Sequence, residues 1–298
     1  MAFPAPPQKW SDRAPAGRFA YVNGRYLPHA LAGVHIEDRG LQLGDSIYEV
    51  CRVESGRLLD EAGHLDRLER SLAALELPMP VTRSALALIM RELIRRNRLR
   101  DGIVYLQVTR GAFRRDHPIS ESGTRPTLIL TARASDPAMA AARLANGVKI
   151  ITRPDERWAR RDIKTTQLLP AVLAKTAAKR AGAAEAWLVD HDGFVTEGGS
   201  TNGWIVDAAG TLITRPLSRD ILPGVTRAVV LAAAREAGIP VQERKFTVAE
   251  ALAAREAFLT SASGAAVPVV AIDGEAVDDG RPGPLTLKLQ ALYALKSG

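Results

Sequence analysis

Close to the midpoint of this 298-residue chain, the stretch Ala132–Asn146, which opens Ala-Arg-Ala-Ser-Asp-Pro, interrupts the hydrophobic patterning. Such a break predicts two folded units joined by a connection. The length favours the same division, since single cores stop growing at about this size. The expected layout is a loose, Pro- and Ala-rich arm over 1–17 and a small α+β domain over 18–132. A connection over 133–146 then leads to a larger domain over 147–298.

Local patterns fill in each half. Tyr21-Val22-Asn23-Gly24-Arg25-Tyr26 reads as a hairpin, because Asn-Gly supplies the positive φ angles of a tight turn. Ser55-Gly56 predicts a second hairpin joining Tyr48–Val53 to Arg57–Leu59. Leu65, Leu68, Leu72 and Leu75 share one helical face. Thr82 precedes another helix with Leu86, Ile89, Met90, Leu93 and Ile94 on its apolar side. Ile103–Thr109 and Thr127–Thr131 read as strands, so the first half is strands and helices with few parallel crossovers. In the second half, strands are expected at Val148–Thr152, Trp187–Val189, Trp204–Val206, Phe258–Thr260 and Val267–Ile272. Helices are expected at Leu169–Ala181, from Gly224-Val225-Thr226 to Ala237, and at Leu285–Leu295. The whole reads as a two-domain α/β (α+β) protein.

Composition excludes several functions. No stretch approaches the roughly 20 apolar residues of a membrane helix, and the N-terminus lacks an apolar run after a basic start. Cys51 is the single cysteine, which rules out an intrachain disulfide and argues against a Cys-based metal site. A cytoplasmic protein without membrane or metal dependence is the expectation. The net charge is +7, but Lys and Arg are interleaved with Asp and Glu, as in His64-Leu65-Asp66-Arg67-Leu68-Glu69-Arg70. Aromatics make up only 5%, too few for nucleic-acid stacking platforms. Small anionic ligands account for the basic balance better than nucleic acid does.

Four segments could carry chemistry. Lys164, in Asp162-Ile163-Lys164-Thr165-Thr166, stands where the loop Arg157–Arg161 ends and an apolar segment begins. A lysine whose stem is desolvated becomes a nucleophile toward carbonyls, although most lysines are solvated surface residues. Val195–Asn202 reads either as a polar turn or as a carboxylate, Glu197, followed by small residues suited to a phosphate or a ring edge. Ile221–Arg227 is a Gly-led helix start, and Thr260–Gly264 is a hydroxyl-rich turn after a strand.

Taken in order, these segments resemble the fold-type IV pyridoxal-phosphate enzymes, and within them the D-amino acid aminotransferases. The resemblance spans about Tyr21 to Gly274. Its markers begin with Glu37-Asp38-Arg39-Gly40, Gly44-Asp45, Tyr48-Glu49 and His64–Leu68. They continue with Gln107–Gly111, Asp162–Lys164, Thr196–Gly198, Gly224–Arg227 and Thr260-Ser261.

The resemblance implies a pyridoxal 5'-phosphate cofactor at the domain interface. Lys164 would form the Schiff base with it and shuttle the substrate α-proton. Glu197 would keep the ring nitrogen protonated, and Leu222 would pack on the ring face. Arg67, the amides of Val225 and Thr226, and Ser261 would hold the phosphate. Tyr48 would tune the lysine and border the substrate pocket. Arg115 and His117, in Arg114-Arg115-Asp116-His117, match the pair that captures the substrate carboxylate in the D-amino acid branch. They would reach into the partner's site of a homodimer. Amino groups would pass from a D-amino acid such as D-alanine to a 2-oxo acid such as 2-oxoglutarate or pyruvate, by a ping-pong mechanism.

Two positions depart from the family pattern: Ala262 stands where a second hydroxyl is expected, and Gly199 where serine is frequent. On the same fold, a branched-chain L-amino acid aminotransferase would carry Gly-Ile-Arg after Tyr-Glu, whereas Val50-Cys51-Arg52 follows here. An aminodeoxychorismate lyase would use the same lysine for elimination, and an (R)-amine transaminase would lack a carboxylate trap. A non-catalytic binding protein would keep the fold without the chemistry. The Arg115/His117 pair favours the D-amino acid reading.

Overall fold

The computed structural model describes residues 17–119 and 125–296. Apart from Gly17, the arm expected over 1–17 lies outside them. The chain divides into two compact units. One holds the described residues up to Leu58 and Leu68–Ser135; the other holds Leu59–Arg67 and the residues from Asp136 onward.

The first unit contains strands β1 (Phe19–Val22), β2 (Arg25–Pro28), β3 (Ser46–Glu54), β4 (Arg57–Leu58), β5 (Gly102–Thr109) and β6 (Thr127–Ala134). They form one sheet in the order β2-β1-β6-β5-β3-β4, with every neighbouring pair antiparallel. Both expected hairpins close on residues with left-handed backbone: Asn23 at φ 45° and Ser55 at φ 49°, each followed by a positive-φ glycine. Along β3, Ile47, Glu49, Cys51 and Val53 are buried while Tyr48, Val50 and Arg52 lie on the half-buried face. The period of two puts Tyr48 opposite the core.

Helix α1 (Arg39–Leu43) precedes β3, and α2 (Glu61–Ala74) and α3 (Arg83–Arg96) follow β4. Leu65, Leu68 and Leu72 are buried as the spacing predicts, but Leu75 lies just past the helix end. Thr82 caps α3, its Oγ1 accepting from the Ala85 amide at 3.3 Å.

In the second unit, α4 (Pro137–Asn146) follows β6 along the chain. The patternless stretch expected over 132–146 is therefore mostly ordered: β6 runs to Ala134, and Asp136 accepts from the Ala138 amide as the cap of α4. Strands β7 (Val148–Pro154), β8 (Glu185–Val189), β9 (Val195–Gly198), β10 (Asn202–Val206), β11 (Leu212–Thr214), β12 (Val241–Glu243), β13 (Glu256–Ser261), β14 (Gly264–Ile272) and β15 (Glu275–Ala276) share one sheet. Its order is β12-β11-β10-β13-β14-β7-β8-β9, with β15 on β14. β7 runs parallel to both its neighbours, and β11 parallel to β12.

Helices α5 (Leu169–Arg180), α6 (Val225–Glu236), α7 (Val248–Leu252) and α8 (Pro284–Lys296) complete the unit. The sheet is buried on both faces. Ile205, Ala257 and Leu259 join a core with Trp187 and Phe246, while Trp204 and Phe258 join another with Val230 and Leu289. That explains why its strands read as continuous apolar runs without alternation.

Helix α8 supports the segment that leads to Arg67. The buried Glu256 carboxylate accepts from the Leu285 amide (2.9 Å), the Thr286 amide (2.7 Å) and Thr286 Oγ1 (2.7 Å), satisfying the first turn of α8. Further along, Tyr293 Oη donates to Asp60 Oδ2 at 2.6 Å, at the entry to α2. Glu256→Ala leaves these donors without a partner, at a cost of about 3 kcal/mol. The thermal midpoint should fall by roughly 6–10 °C. A shift within about 1 °C would show that the Glu256 clasp contributes nothing to stability.

Candidate active site

Glu197 stands in β9, every residue of which is buried. The polar-turn reading of this segment applies only to the residues after it, Gly199–Thr201. Its carboxylate has three partners. Arg157 Nη1 donates to Oε1, Asn202 Nδ2 donates to Oε2 at 2.9 Å, and the Leu222 amide is 3.1 Å from both oxygens. Burial pushes the Glu197 carboxyl above the usual carboxylate range, and the Arg157 guanidinium pulls against that push.

Arg157 is itself held. Its Nε and Nη2 donate to the two oxygens of Asp155 at 2.9 and 2.8 Å, a paired fork. Asp155 also accepts from Thr196 Oγ1 at 2.7 Å, from the strand that carries Glu197. Burial opposes the Asp155 charge, but Arg157, Thr196 and Arg161 together hold its carboxyl below the usual range. Burial likewise opposes the Arg157 charge, and the two carboxylates outweigh it, raising the guanidinium above its ordinary value. Arg157 is the residue that sequence reading missed, being taken only as part of a basic loop. The available signal was Asp155 two positions before it.

The Leu222 amide belongs to the turn that enters α6. Asn202 Nδ2 also donates to the Leu222 carbonyl at 3.0 Å, stitching β10 to that turn. Gly224 has no room for a side chain there, since a Cβ would stand 2.0 Å from Asn202 Oδ1. No capping side chain serves the start of α6, so its first amides face outward from the helix. Thr226 Oγ1 donates to the Ser261 carbonyl at 3.0 Å, and Ser261 Oγ lies 3.2 Å from Ser263 Oγ. Ser263 thus brings a second hydroxyl to the turn in which Ala262 has none. Arg67 Nη1 donates to the Pro223 carbonyl at 3.2 Å, with Nη2 3.5 Å from His64 Nδ1. At Gly199, a Cβ would come 3.0 Å from Lys175 Cγ and 3.2 Å from Glu185 Oε1. The space a serine would need is taken by that ion pair.

Hydrogen bonds therefore gather Glu197, Leu222, Thr226, Ser261 and Arg67 within one unit, and Val225 stands beside Thr226 as the first residue of α6. Lys164 lies half-buried between the buried Ile163 and Thr165, on the loop from β7 to α5. That loop is tied to the same turn region, because the Arg161 amide donates to the Arg219 carbonyl at 3.0 Å. Tyr48, Arg115 and His117 belong to the other unit. Tyr48 stacks on Tyr105 at 5.7 Å, and burial followed by the Tyr48 neighbour pushes the Tyr105 hydroxyl up to about 12. Arg115 and His117 are exposed on the loop that follows β5.

A buried carboxylate beside a guanidinium, an uncapped helix start and a hydroxyl-rich turn suit a ligand with a basic ring atom and a phosphate. The comparisons agree with that chemistry. The family model for amino-transferase class IV matches residues 46–272. The curated D-alanine aminotransferase of Bacillus licheniformis is 39% identical over 268 residues, covering 90% of this chain and 93% of its own. The Staphylococcus haemolyticus D-alanine aminotransferase is 37% identical over 271 residues, covering 91% and 94%. Among solved structures, the Escherichia coli branched-chain amino acid aminotransferase has a TM-score of 0.84 at 25% identity, covering 94% of each chain. The branched-chain aminotransferase of Thermoproteus uzoniensis, solved with norvaline, has a TM-score of 0.81 at 26% identity over 93% of each. This chain belongs to the amino-transferase class IV family and has the fold-type IV aminotransferase architecture.

Proposed function

We propose that this enzyme moves the amino group of a D-amino acid, such as D-alanine, to a 2-oxo acid, with pyridoxal 5'-phosphate as cofactor. The observation that carries the cofactor is the buried Glu197 carboxylate, held by Arg157 and by the turn that enters α6. The substrate class is supported by relatives named D-alanine aminotransferase at 36–39% identity over nine tenths of the chain. It is supported also by the Arg115/His117 pair.

When bound, the cofactor supplies an electron sink for the electrons left on the substrate α-carbon. The protein does the rest. Lys164 Nζ would hold the cofactor at its aldehyde carbon until the substrate amino group displaces it; the freed amine would then take the proton from the substrate α-carbon and return it on the cofactor side. Glu197 would hold a proton on the ring nitrogen, and Leu222 would pack against the ring. Arg67, the Val225 and Thr226 amides and Ser261 bind the phosphate. Tyr48 borders the lysine and tunes it. Arg115 and His117 fix the substrate carboxylate, from the partner subunit of a homodimer, so that a D-amino acid presents its α-hydrogen to Lys164. The site would take the D-amino acid and the 2-oxo acid in turn, releasing one 2-oxo product before the second 2-oxo acid enters. A single, buried cysteine is consistent with a cytoplasmic location.

Lys164→Ala should reduce transamination to background and abolish the borohydride-reducible lysine adduct. Normal turnover, or a surviving adduct on the variant, would remove Lys164 from its role. The structures of branched-chain aminotransferases set a second comparison, so the wild type should be tested with L-leucine beside D-alanine. A preference for L-leucine would overturn the D-amino acid reading and leave the cofactor assignment intact.

Arg115→Ala should lower kcat/KM for D-alanine by about 30- to 1000-fold, equivalent to roughly 2–4 kcal/mol. A primary (R)-amine, which has no carboxylate, should be affected little. Equal losses on both substrates would mean that Arg115 supports the loop and not the ligand.

A further inference from the structure

The motif Glu37-Asp38-Arg39-Gly40, with Gly44-Asp45, has no part in the chemistry above. In the structure it forms α1 with its flanks and lies along the residues that lead out of β5. The Arg39 amide donates to the Gly111 carbonyl at 3.0 Å, the Phe113 amide to Glu37 at 3.3 Å, and the Arg110 amide to Asp45 at 3.1 Å. Thr109 Oγ1 donates to Asp38 Oδ2 at 2.9 Å. The contact is close, since a Cβ on Gly40 would fall 2.5 Å from Thr109 Cγ2.

The Arg39 side chain continues this line into the next segment. Its guanidinium is buried, yet Nη1 donates to the Asp116 carbonyl (2.6 Å) and the Pro118 carbonyl (3.4 Å), and Nη2 to the His117 carbonyl (3.1 Å). Nε donates to Asp45 Oδ2 at 2.8 Å. The same oxygen takes Arg110 Nε at 2.8 Å, and Arg110 is anchored on the Leu75 and Glu76 carbonyls at 2.7 and 3.1 Å. Burial works against the Asp45 charge, but the two arginines hold its carboxyl below the usual range. Residues 114–118 therefore show their side chains to solvent while three successive carbonyls are fastened to an interior cation.

We propose that Arg39 is a positioning residue for the substrate carboxylate. By fixing the backbone at Asp116–Pro118, it presents Arg115 and His117 in one geometry and sets the preference for carboxylate-bearing substrates. The proposal rests on the reading of Arg115 and His117 given above. A planar guanidinium can serve Asp45 and three carbonyls together because its five N–H groups form a rigid fork. A lysine has a single nitrogen and cannot span the same set. A misplacement of about 1 Å at a substrate-orienting group can cost on the order of 100-fold, so a loosened loop should be visible in substrate binding.

The test compares wild type, Arg39→Gln, Arg39→Lys and Arg115→Ala as holoenzymes. Three quantities are read: KM and kcat for D-alanine, competitive inhibition by propionate, and amide hydrogen exchange over residues 112–119. Arg39→Gln should raise the D-alanine KM and the propionate inhibition constant by at least ~10-fold, with a smaller effect on kcat. Exchange over 112–119 should quicken. Arg39→Lys should fall between wild type and Arg39→Gln, and decides the matter alone if Arg39→Gln does not fold.

A drop in kcat with KM and propionate inhibition unchanged would make Arg39 a general structural residue and overturn the proposal. So would faster exchange without weaker carboxylate binding, or no change in any quantity. If Arg115→Ala weakens propionate and the Arg39 variants do not, the Arg39 proposal fails while the carboxylate reading stands. If Arg115→Ala itself leaves propionate inhibition unchanged, it is the carboxylate reading that fails.

Discussion

A carboxylate taken out of water must be paired, and in the second unit much of the site is arranged around that requirement at Glu197. Three elements supply its partners: the loop after β7 through Arg157, β10 through Asn202, and the turn into α6 through the Leu222 amide. Because Asn202 also binds the Leu222 carbonyl, and Gly224 leaves room for Asn202, the turn cannot shift without disturbing Glu197. The same turn carries Pro223, on which Arg67 rests, and opens α6 with its uncapped amides. On the proposed reading, ring recognition and phosphate recognition would be parts of one hydrogen-bonded piece.

The charge on Glu197 depends on what lies behind it. Asp155 holds Arg157 by a paired fork and Thr196 by its hydroxyl, so Arg157 and β9 share one anchor. Arg161 lies 3.4 Å from Asp155 and 3.4 Å from Asp220, and Asp220 takes Arg215 at 2.8 Å. Opposite charges alternate from Glu197 through Arg157, Asp155, Arg161 and the partly exposed Asp220 to the buried Arg215, so each buried ion has an opposite neighbour. Removing one member leaves another uncompensated, which is costlier than losing an exposed pair.

Much of the fold was legible in the sequence because local rules and tertiary packing agreed there. The Asn23-Gly24 and Ser55-Gly56 turns, the α2 face of Leu65, Leu68 and Leu72, the buried Leu86, Met90, Leu93 and Ile94 of α3, and the Gly224 start of α6 stand where spacing and turn chemistry put them. The misses have physical causes. Residues 132–146 looked patternless because α4 is rich in alanine and, as described, fully buries none of its side chains. β9 looked like a turn because its carboxylate is satisfied by residues far along the chain, which no local pattern reveals. For the same reason Arg157 reads only as part of a basic loop, and Arg39, although it stands in the opening motif, gives no sign of the carbonyls it holds. An arginine that serves the interior is indistinguishable in sequence from one that faces water, and only the distant carbonyls and carboxylates it meets separate the two. The ordered series of motifs pointed to the family, as no single motif could.

On the proposed reading, Glu197 stabilises charge on a bound ring through its own negative charge. The direct measurement is the single-turnover half-reaction of Glu197→Gln with D-alanine, followed by cofactor absorbance, with cofactor content and thermal midpoint measured on the same sample. The variant keeps the side-chain size and loses the charge. Its rate should be lower by on the order of 100-fold or more, about 2.7 kcal/mol of lost stabilisation, with cofactor still bound. An unchanged half-reaction rate in a folded, cofactor-loaded variant would contradict that reading.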